Sequence, residues 1–241
     1  KREDWFAPLG YGGINGSKVR QCIWLVNRYM ENGGAAGLLS GASIKSPQLS
    51  SGTIVAAHYG LPSVHVIGAT TPKTAIRKAN VAIAAWGGAR FAFHSIAYNP
   101  ALQRRVAELL QGPLKHWMHL EYGITLDHAR HPAAAIEAFH AVGAAQVENL
   151  PVVRNLLIAA GSCNTLVSVI YGLSKFKSSI ENVIMFGIGP PRFQWVKARI
   201  KAIASTGAII STEGRTWQYY DLHGSGYASY ADEMPREIEG V

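Results

Sequence analysis

The run Asn155-Leu-Leu-Ile-Ala-Ala-Gly-Ser-Cys-Asn-Thr165 joins an apolar segment to a tight turn of small residues. Residues 155–160 have the length and apolar character of a buried strand, and helical spacing continues from the turn as far as Lys175. A strand that passes through a tight turn into a helix is the repeating unit of α/β folds, whose parallel strands carry helices on their faces. The run therefore predicts an α/β protein.

The same alternation of strands and helices extends along the chain, without a repeat of fixed length or a low-complexity segment. This pattern is typical of parallel sheets. Residues 41–51 are predicted to be a polar loop, and the tail from Thr212 has no clear period. The predicted strands are 36–40, 63–68, 90–94, 155–160, 182–187 and 208–211, and the predicted helices are 17–31, 52–59, 72–85, 99–111, 132–149, the segment from the turn to Lys175, and 192–203.

The composition is that of a globular domain with a sizeable core. Of the 241 residues, 48% are hydrophobic and 16% are charged, which excludes wholesale disorder. No apolar run reaches the roughly 18 residues of a membrane span, and the first residues lack the apolar core of a signal peptide. Cys22 and Cys163 form no metal-binding spacing. We therefore expect a reducing, cytoplasmic setting and no membrane association.

The charge balance is unusually basic. There are 23 Lys and Arg against 15 Asp and Glu, giving a net charge of +8. This indicates either an anionic partner such as DNA or a merely basic surface, since clustered charges are often solvated helix faces. Aromatic side chains could stack on bases, or could belong to the core or to a dimer interface. The residues concerned are Lys73, Arg77, Lys78 and Arg90, then Arg192, Lys197, Arg199 and Lys201, and the aromatic residues Trp195, Trp217, Tyr219 and Tyr220.

Lys18 lies in the run Gly12-Gly-Ile-Asn-Gly-Ser-Lys18-Val-Arg20, just inside a predicted helix. The positive helix terminus favours the neutral amine that forms Schiff bases, and the glycines allow close approach of a planar ligand. A Gly-Ser-Lys sequence also occurs at ordinary helix starts that carry a solvated lysine. Both interpretations stay open for this motif taken alone.

Two later motifs add polar groups suited to an anionic, aromatic ligand. The turn Gly161-Ser162-Cys163-Asn164-Thr165 opens a helix and could cradle a phosphate, or it could be a helix start without ligand. It lacks the lysine of a P-loop and is not Gly-x-Gly-x-x-Gly, which disfavours nucleoside triphosphates and dinucleotides. Ser225, in Asp221-Leu-His-Gly-Ser225-Gly-Tyr, could donate a hydrogen bond to a pyridine nitrogen, or could lie in a surface loop.

The order of these motifs resembles fold-type II PLP-dependent enzymes, the tryptophan synthase β-like superfamily, nearest the branch of 1-aminocyclopropane-1-carboxylate deaminase and D-cysteine desulfhydrase. In that branch a Gly-Gly-Asn-Lys-x-Arg-like run carries the lysine that holds pyridoxal 5′-phosphate (PLP) as a Schiff base, and Lys18 matches it. A Ser-x-x-Ser-Asn-x-x-Arg loop follows there and contacts the substrate carboxylate. Its counterpart here contains Ser43, Ser46 and Gln48.

The resemblance extends to the phosphate loop and to the segment that meets the pyridine nitrogen. A Gly-Ser/Thr-Gly-Gly-Thr loop in the family is similar to 161–165, and Ser225 takes the place of the residue that contacts the ring nitrogen. The resemblance implies a two-lobed parallel-sheet fold, with residues 1–34 and 120–241 in a larger PLP-binding lobe and 35–119 in a smaller substrate lobe. It also implies a homodimer.

Several positions depart from the family pattern. Pro47 stands where the family has an Asn, Cys163 and Asn164 replace two glycines, and Gly224 replaces a tyrosine. The chain is also shortened, by about a hundred residues relative to two-domain relatives. These departures favour an unusual substrate over the familiar free amino acids.

The resemblance implies that Lys18 removes or returns a proton at Cα of an amino-acid-type substrate. The compact, basic chain is similar to phage PLP enzymes of thymidine hypermodification, which predicts action on a glycine adduct of thymine in DNA, within the host cytoplasm. The alternatives are a lyase, deaminase or desulfhydrase acting on a free small amino acid, and a catalytically inactive binding protein with this fold.

His116-x-x-His119 and His128-x-x-His131 each have the spacing of two metal ligands on a helix. Neither pair is accompanied by the Cys or carboxylate residues of a recognised site. We therefore predict no metal site.

Overall fold

The computed structural model describes residues 8–9, 16–68, 71–188 and 192–222. Its contacts divide the chain into two compact units, Lys1–Gly143 and Ala144–Val241. The first unit contains α1 (Ser17–Glu31), β1 (Leu38–Ala42), α2 (Pro47–His58), β2 (Ser63–Gly68), α3 (Pro72–Ala75), α4 (Ala79–Trp86), β3 (Arg90–His94), α5 (Asn99–Gln111) and β4 (Met118–Leu120). Helix α6 (Ala133–Glu148) crosses the boundary, and β5 (Asn155–Ala160), α7 (Asn164–Lys175), β6 (Asn182–Gly187), α8 (Phe193–Ala204) and β7 (Thr216–Asp221) follow.

The first unit is built on a four-stranded parallel sheet in the order β3-β2-β1-β4. Alternate residues of each strand face opposite layers of helices. Leu39 and Val66 pack with Leu102 and Val106 of α5, whereas Ala42 packs with residues of α2, α3 and α4. The sheet is therefore covered on both faces, as parallel sheets require.

The second unit is built on a three-stranded parallel sheet in the order β5-β6-β7. Val183 and Met185 of β6 lie in a core with Leu166 and Leu173 of α7, and Trp195 of α8 packs against it. Since β5, β6 and β7 are parallel, their carboxyl ends lie at one edge of the sheet, where Ala160 is in register with Gly187 and Gly187 with Asp221.

The predicted fold class, a two-lobed parallel α/β fold, is confirmed. Strands 63–68, 90–94, 155–160 and 182–187 and helices 17–31 and 99–111 have the predicted bounds. The predicted assignment of residues 1–34, 35–119 and 120–241 to two lobes stays a prediction. No helix of the described residues is both long and apolar enough to cross a membrane.

Three predicted elements were wrong, and hydrogen bonds of polar side chains explain each difference. Helix α2 begins inside the predicted loop 41–51, because Ser46 accepts a hydrogen bond from the Gln48 N–H and Pro47 occupies the first turn. The predicted helix 72–85 is two helices, and the Asn80 amide, which donates to the Lys45 carbonyl, fixes the start of the second.

Residues 208–211 do not form the predicted strand. The backbone of Ser211 is bound instead by the Ser174 hydroxyl, which donates to its carbonyl and accepts from its N–H, both at 3.0 Å. The third strand is β7, in the tail that showed no clear period, and Arg215 ties its start to the carbonyls of Leu173 and Ser178. Strand β4 was not predicted, since it has only three residues.

Candidate functional site

Lys18 is the second residue of α1, as predicted. The preceding Gly16 has φ 123°, a left-handed conformation that side chains rarely adopt, so the turn into α1 depends on this glycine. Lys18 itself is half-buried. One turn later the helix is fixed in the core, where the Gln21 side chain donates to the Phe139 carbonyl over 3.3 Å. The lysine therefore stands on a rigid element at its positive end.

Cys22 lies on the same helix, one turn after Lys18, and is fully buried. Burial raises the pKa of its thiol to about 12. The thiol is therefore neutral near pH 7 and is no nucleophile there. Lys18 is the reactive candidate of this helix.

The turn 161–165 enters α7 through an unusual backbone conformation. Cys163, the N-cap residue, has φ 63° and ψ 2° and gives α7 no side-chain cap. Its thiol contacts the Gly161 carbonyl at 3.7 Å and is almost buried. A left-handed residue at this place explains why the resembled family has glycine here, because glycine alone adopts it without strain.

The carboxyl edge of the three-stranded sheet adds residues that the sequence did not single out for this role. A Cβ at Gly187 would collide with the hydroxyl group of Tyr219, so this glycine makes room for the tyrosine. Burial, Asp221 and Cys163 raise the pKa of Tyr219. Tyr219, predicted as a stacking surface, therefore lies beside the 161–165 turn. No sequence signal could have found this place, because it depends on the register between β6 and β7.

Ser225, predicted to meet a pyridine nitrogen, lies outside the described residues. Asp221, the last residue of β7, is in register with Gly187 at the edge that carries the 161–165 turn.

In the first unit, Ser43 and Ser46 lie in the turn between β1 and α2, and Gln48 is the second residue of α2. Ser43 is exposed, and its hydroxyl oxygen accepts from the Lys45 N–H over 3.3 Å. Gln48 is buried, donates to the Leu120 carbonyl over 3.1 Å and accepts from the Gly123 N–H over 2.7 Å. Gln48 thus joins α2 to β4, and the substrate role of all three residues stays a prediction.

A buried polar chain holds α2 against the sheet. His65 lies between the hydroxyl groups of Ser40 and Thr53, each 2.7 Å from a ring nitrogen. Because the Thr53 hydroxyl donates to the Leu49 carbonyl, Nε2 of His65 donates to Thr53 and Nδ1 accepts from Ser40. Burial lowers the pKa of His65 to about 4, so the imidazole is neutral near pH 7.

The two predicted basic faces differ in the exposure of their side chains. Lys73, Arg77, Lys78 and Arg90 are all exposed. Arg199 is not part of a basic surface, because it is 2% exposed and its guanidinium lies 4.0 Å from the centre of the Trp195 ring. Of the four predicted stacking residues, Trp195, Trp217 and Tyr219 pack against the core, whereas Tyr220 is exposed and stacks on Phe186.

The histidine pairs lie near β4 and the loop after it. Burial and Arg130 lower the pKa of His119, and burial, Arg28 and Arg130 lower that of His131. Arg130 forms ion pairs with Asp127 and Glu121. Within the described ranges, no three His, Cys, Asp or Glu residues are grouped in a way that could hold a metal ion.

Comparison with known proteins adds the relationships of the chain. It is 39% identical over 228 residues to the O-seryl-dTMP PLP-dependent decarboxylase of Salmonella phage ViI, a match that covers 92% of this chain and 54% of that protein. The chain thus spans about half the length of this curated relative. No protein-family model matches it.

Solved structures share the fold. A homologue of ACC deaminase superposes with a TM-score of 0.70 at 19% identity, covering 93% of this chain and 66% of that one. Threonine deaminase isoform 2 from Solanum lycopersicum superposes with a TM-score of 0.53 at 13% identity, covering 78% and 48%. At such low identities the likeness shows the fold alone. Because the phage relative depends on PLP, PLP is the cofactor expected for this chain. The chain therefore has the fold of these PLP-dependent enzymes and is similar in sequence to the phage decarboxylase.

Proposed function

We propose that this chain is the core of a PLP-dependent enzyme that decarboxylates an amino acid attached to a thymine nucleotide of phage DNA. The observation that carries the proposal is the 39% identity, over 92% of the chain, to a phage O-seryl-dTMP decarboxylase. The activity of that protein differs from the proton abstraction on a glycine adduct that the sequence predicted. We therefore take a serine adduct and loss of the carboxylate as the leading reaction.

The residues of both units suit PLP. Lys18 supplies a primary amine at the positive end of α1, the group that holds the aldehyde of PLP. The 161–165 turn precedes the twelve-residue helix α7, whose positive end favours a phosphate group. Lys18 belongs to the first unit and the turn to the second, so their combination into one site is part of the proposal.

When bound, PLP withdraws electrons from Cα and so weakens the bonds to that atom. In the proposed reaction the bond between Cα and the carboxylate carbon breaks and its carbon leaves as CO₂. Lys18, whose amine would hold the cofactor, would also deliver the proton that takes the place of the carboxylate on Cα. We assign Ser225 to the ring nitrogen, where a hydroxyl donates a hydrogen bond without transferring its proton.

Ser43 and Ser46 remain our candidates for holding the substrate in the first unit, because both belong to the turn at the carboxyl end of β1. Ligands of open α/β sheets bind outside the carboxyl ends of the strands. Gln48 stabilises the start of α2, next to this turn, through its hydrogen bonds to Leu120 and Gly123. It therefore positions the turn, and we expect no direct contact with substrate.

The experiment is incubation of the PLP-loaded protein with O-seryl-dTMP, both free and within a DNA oligonucleotide, followed by mass analysis of the nucleosides. We expect a product lighter by CO₂, and none with Lys18→Ala. A parallel incubation with a glycine adduct of dTMP that yields only an isomer of unchanged mass, without CO₂ loss from O-seryl-dTMP, would favour the proton shift instead. Ammonia or sulfide release from free amino acids, with the nucleotides untouched, would contradict the proposal.

A further inference from the structure

Nearly all the net charge of this chain lies in one segment of the first unit. Residues 32–107 contain seven Lys or Arg and no Asp or Glu, whereas the remaining sixteen basic residues are balanced by fifteen acidic ones. All seven side chains are exposed. The charge is therefore a surface property of this segment. The seven residues are Lys45, Lys73, Arg77, Lys78, Arg90, Arg104 and Arg105.

An open groove of about 330 Å³ lies within this segment, between the helices α3 and α4 and the strand β3. Its floor is apolar, with Ile76, Val81, Phe91 and Phe93 among the lining residues, and Lys73 lies at its wall. Phe91 and Phe93 are two residues apart on β3 and so face the same side. The groove thus has an aromatic and aliphatic lining, with the Lys73 side chain beside it.

The elements that form the groove carry exposed aromatic rings and exposed cations. Phe93 is 43% exposed and Trp86, at the end of α4, is 75% exposed. Within the described part of the chain, Lys73, Arg77 and Lys78 form no ion pair. Protein surfaces that bind single-stranded nucleic acids combine exposed aromatic rings with unpaired cations. The bases stack on the rings, and the cations bind the phosphates.

We propose that this groove, with Lys73, Arg77 and Lys78 beside it, binds the single-stranded DNA that flanks the base to be modified. The inference rests on the proposed function, because the DNA strand is taken as the carrier of the substrate. Charge complementarity selects the occupant. A second copy of this chain would bring the same cationic surface against it, whereas a DNA strand brings one negative charge per nucleotide.

The two predicted basic faces differ in exposure, because one is fully exposed and the other contains a buried arginine. On α8, Arg199 is buried against Trp195, which leaves Lys197 and Lys201 as the exposed cations of this helix. Lys197 and Lys201 have the same four-residue spacing as Lys73 and Arg77. They therefore provide a control that removes the same charge from the other unit.

The test is fluorescence anisotropy with a labelled single-stranded oligothymidylate, over salt concentrations from about 50 to about 200 mM. We expect Lys73→Glu/Arg77→Glu to weaken binding about ten-fold or more and to lower the salt slope by about 1.4, the value for two lost phosphate contacts. Lys197→Glu/Lys201→Glu should change the affinity less than about two-fold. Phe93→Ala should weaken binding about ten-fold with an unchanged salt slope, because it removes stacking and no charge.

Equal loss of affinity in the two double variants, or no binding by the parent protein at low salt, would overturn the proposal. So would displacement of the oligonucleotide by polyglutamate at equal charge concentration, since any polyanion would then suffice. Turnover of free O-seryl-dTMP is measured in parallel and should be unchanged in Lys73→Glu/Arg77→Glu. Failure of that turnover in every variant, with the binding pattern intact, would count against the proposed reaction alone.

Discussion

Helices α2 and α7 both begin in a turn at the carboxyl end of a parallel strand, yet their first turns are built differently. At α2 the Ser46 side chain caps the helix and Pro47 lies in the first turn. Both the nitrogen and the oxygen of the Gln48 amide form hydrogen bonds within the chain. At α7 the N-cap is Cys163, held in a left-handed conformation and giving no side-chain cap.

The two turns are therefore suited to different roles, one to presenting a side chain and the other to binding an anion. The α2 turn is closed by its own side chains, so it can present Ser43 on a rigid support. The α7 turn owes its shape to an uncommon backbone conformation and not to a side-chain cap, which suits a helix end that meets an anionic ligand. The comparison predicts that cofactor retention depends on Lys18 and the α7 turn, whereas stability depends more on α2.

The largest expected effect is that of Lys18→Ala. We expect it to remove the visible absorption of bound PLP and to lower turnover about a thousand-fold or more, because both the covalent hold and the proton donor are lost. The half-buried position of Lys18 predicts little change in melting temperature. Ser46→Ala is the matched change at α2, and we expect it to keep the absorption band while costing about 1 kcal/mol of helix capping. Loss of the band in Ser46→Ala alone would break the comparison.

Gln48→Ala tests the closed turn. It leaves the Leu120 carbonyl and the Gly123 N–H without their partner in a buried place, so we expect the free energy of unfolding to fall by about 3 kcal/mol. Urea denaturation measures the change. Gln111→Ala, on the exposed end of α5, is the control and should be nearly neutral. A neutral Gln48→Ala would show that α2 is not held in this way.

The His65 chain predicts a pH dependence of stability. Because the folded-state pKa of about 4 lies below the usual 6.5, the unfolded chain binds more protons between these values, and stability falls as the pH drops through this window. His65 should account for about 2 kcal/mol of the loss between pH 7 and pH 5. Urea denaturation at both pH values should show this contribution missing in His65→Gln. An equal pH dependence in parent and variant would contradict it.

Cys163→Val tests the α7 turn and has a small expected effect on stability. A β-branched residue is strained at φ 63°, so we expect the free energy of unfolding to fall by about 1–2 kcal/mol and the affinity for PLP to fall with it. The same replacement at Cys22, in ordinary helical backbone, is the control for the change of volume. If both variants lose the same stability, the left-handed turn carries no special strain.

Long apolar elements could be predicted from the sequence, and short or polar ones could not. Strand 182–187 and helix 17–31 have the predicted bounds because their spacing fits only one structure. Strand β4 has three residues, too few to show a period. The start of α2 depends on the Ser46 cap inside a polar stretch, and the start of α4 on a hydrogen bond from Asn80 to Lys45, which is distant in sequence. The strand predicted at 208–211 fails because Ser174 binds the Ser211 backbone.

The candidate site shows the same division. The order of motifs indicated Lys18 and the 161–165 turn, whereas the place of Tyr219 beside that turn depends on the β6–β7 register and on Gly187, which no local pattern reveals. The burial of Arg199 was likewise invisible in a count of charges, since its partner Trp195 lies on the same helix and faces the core.

Borohydride reduction of the PLP-loaded protein, followed by peptide mapping, tests the central claim most directly. Reduction fixes PLP to the amine that holds it, whatever the later reaction. We predict that the modified peptide contains Lys18 and that Lys18→Arg yields none. Labelling of another lysine in the parent protein, or no labelling despite bound PLP, would contradict the assignment of this chain's chemistry to Lys18.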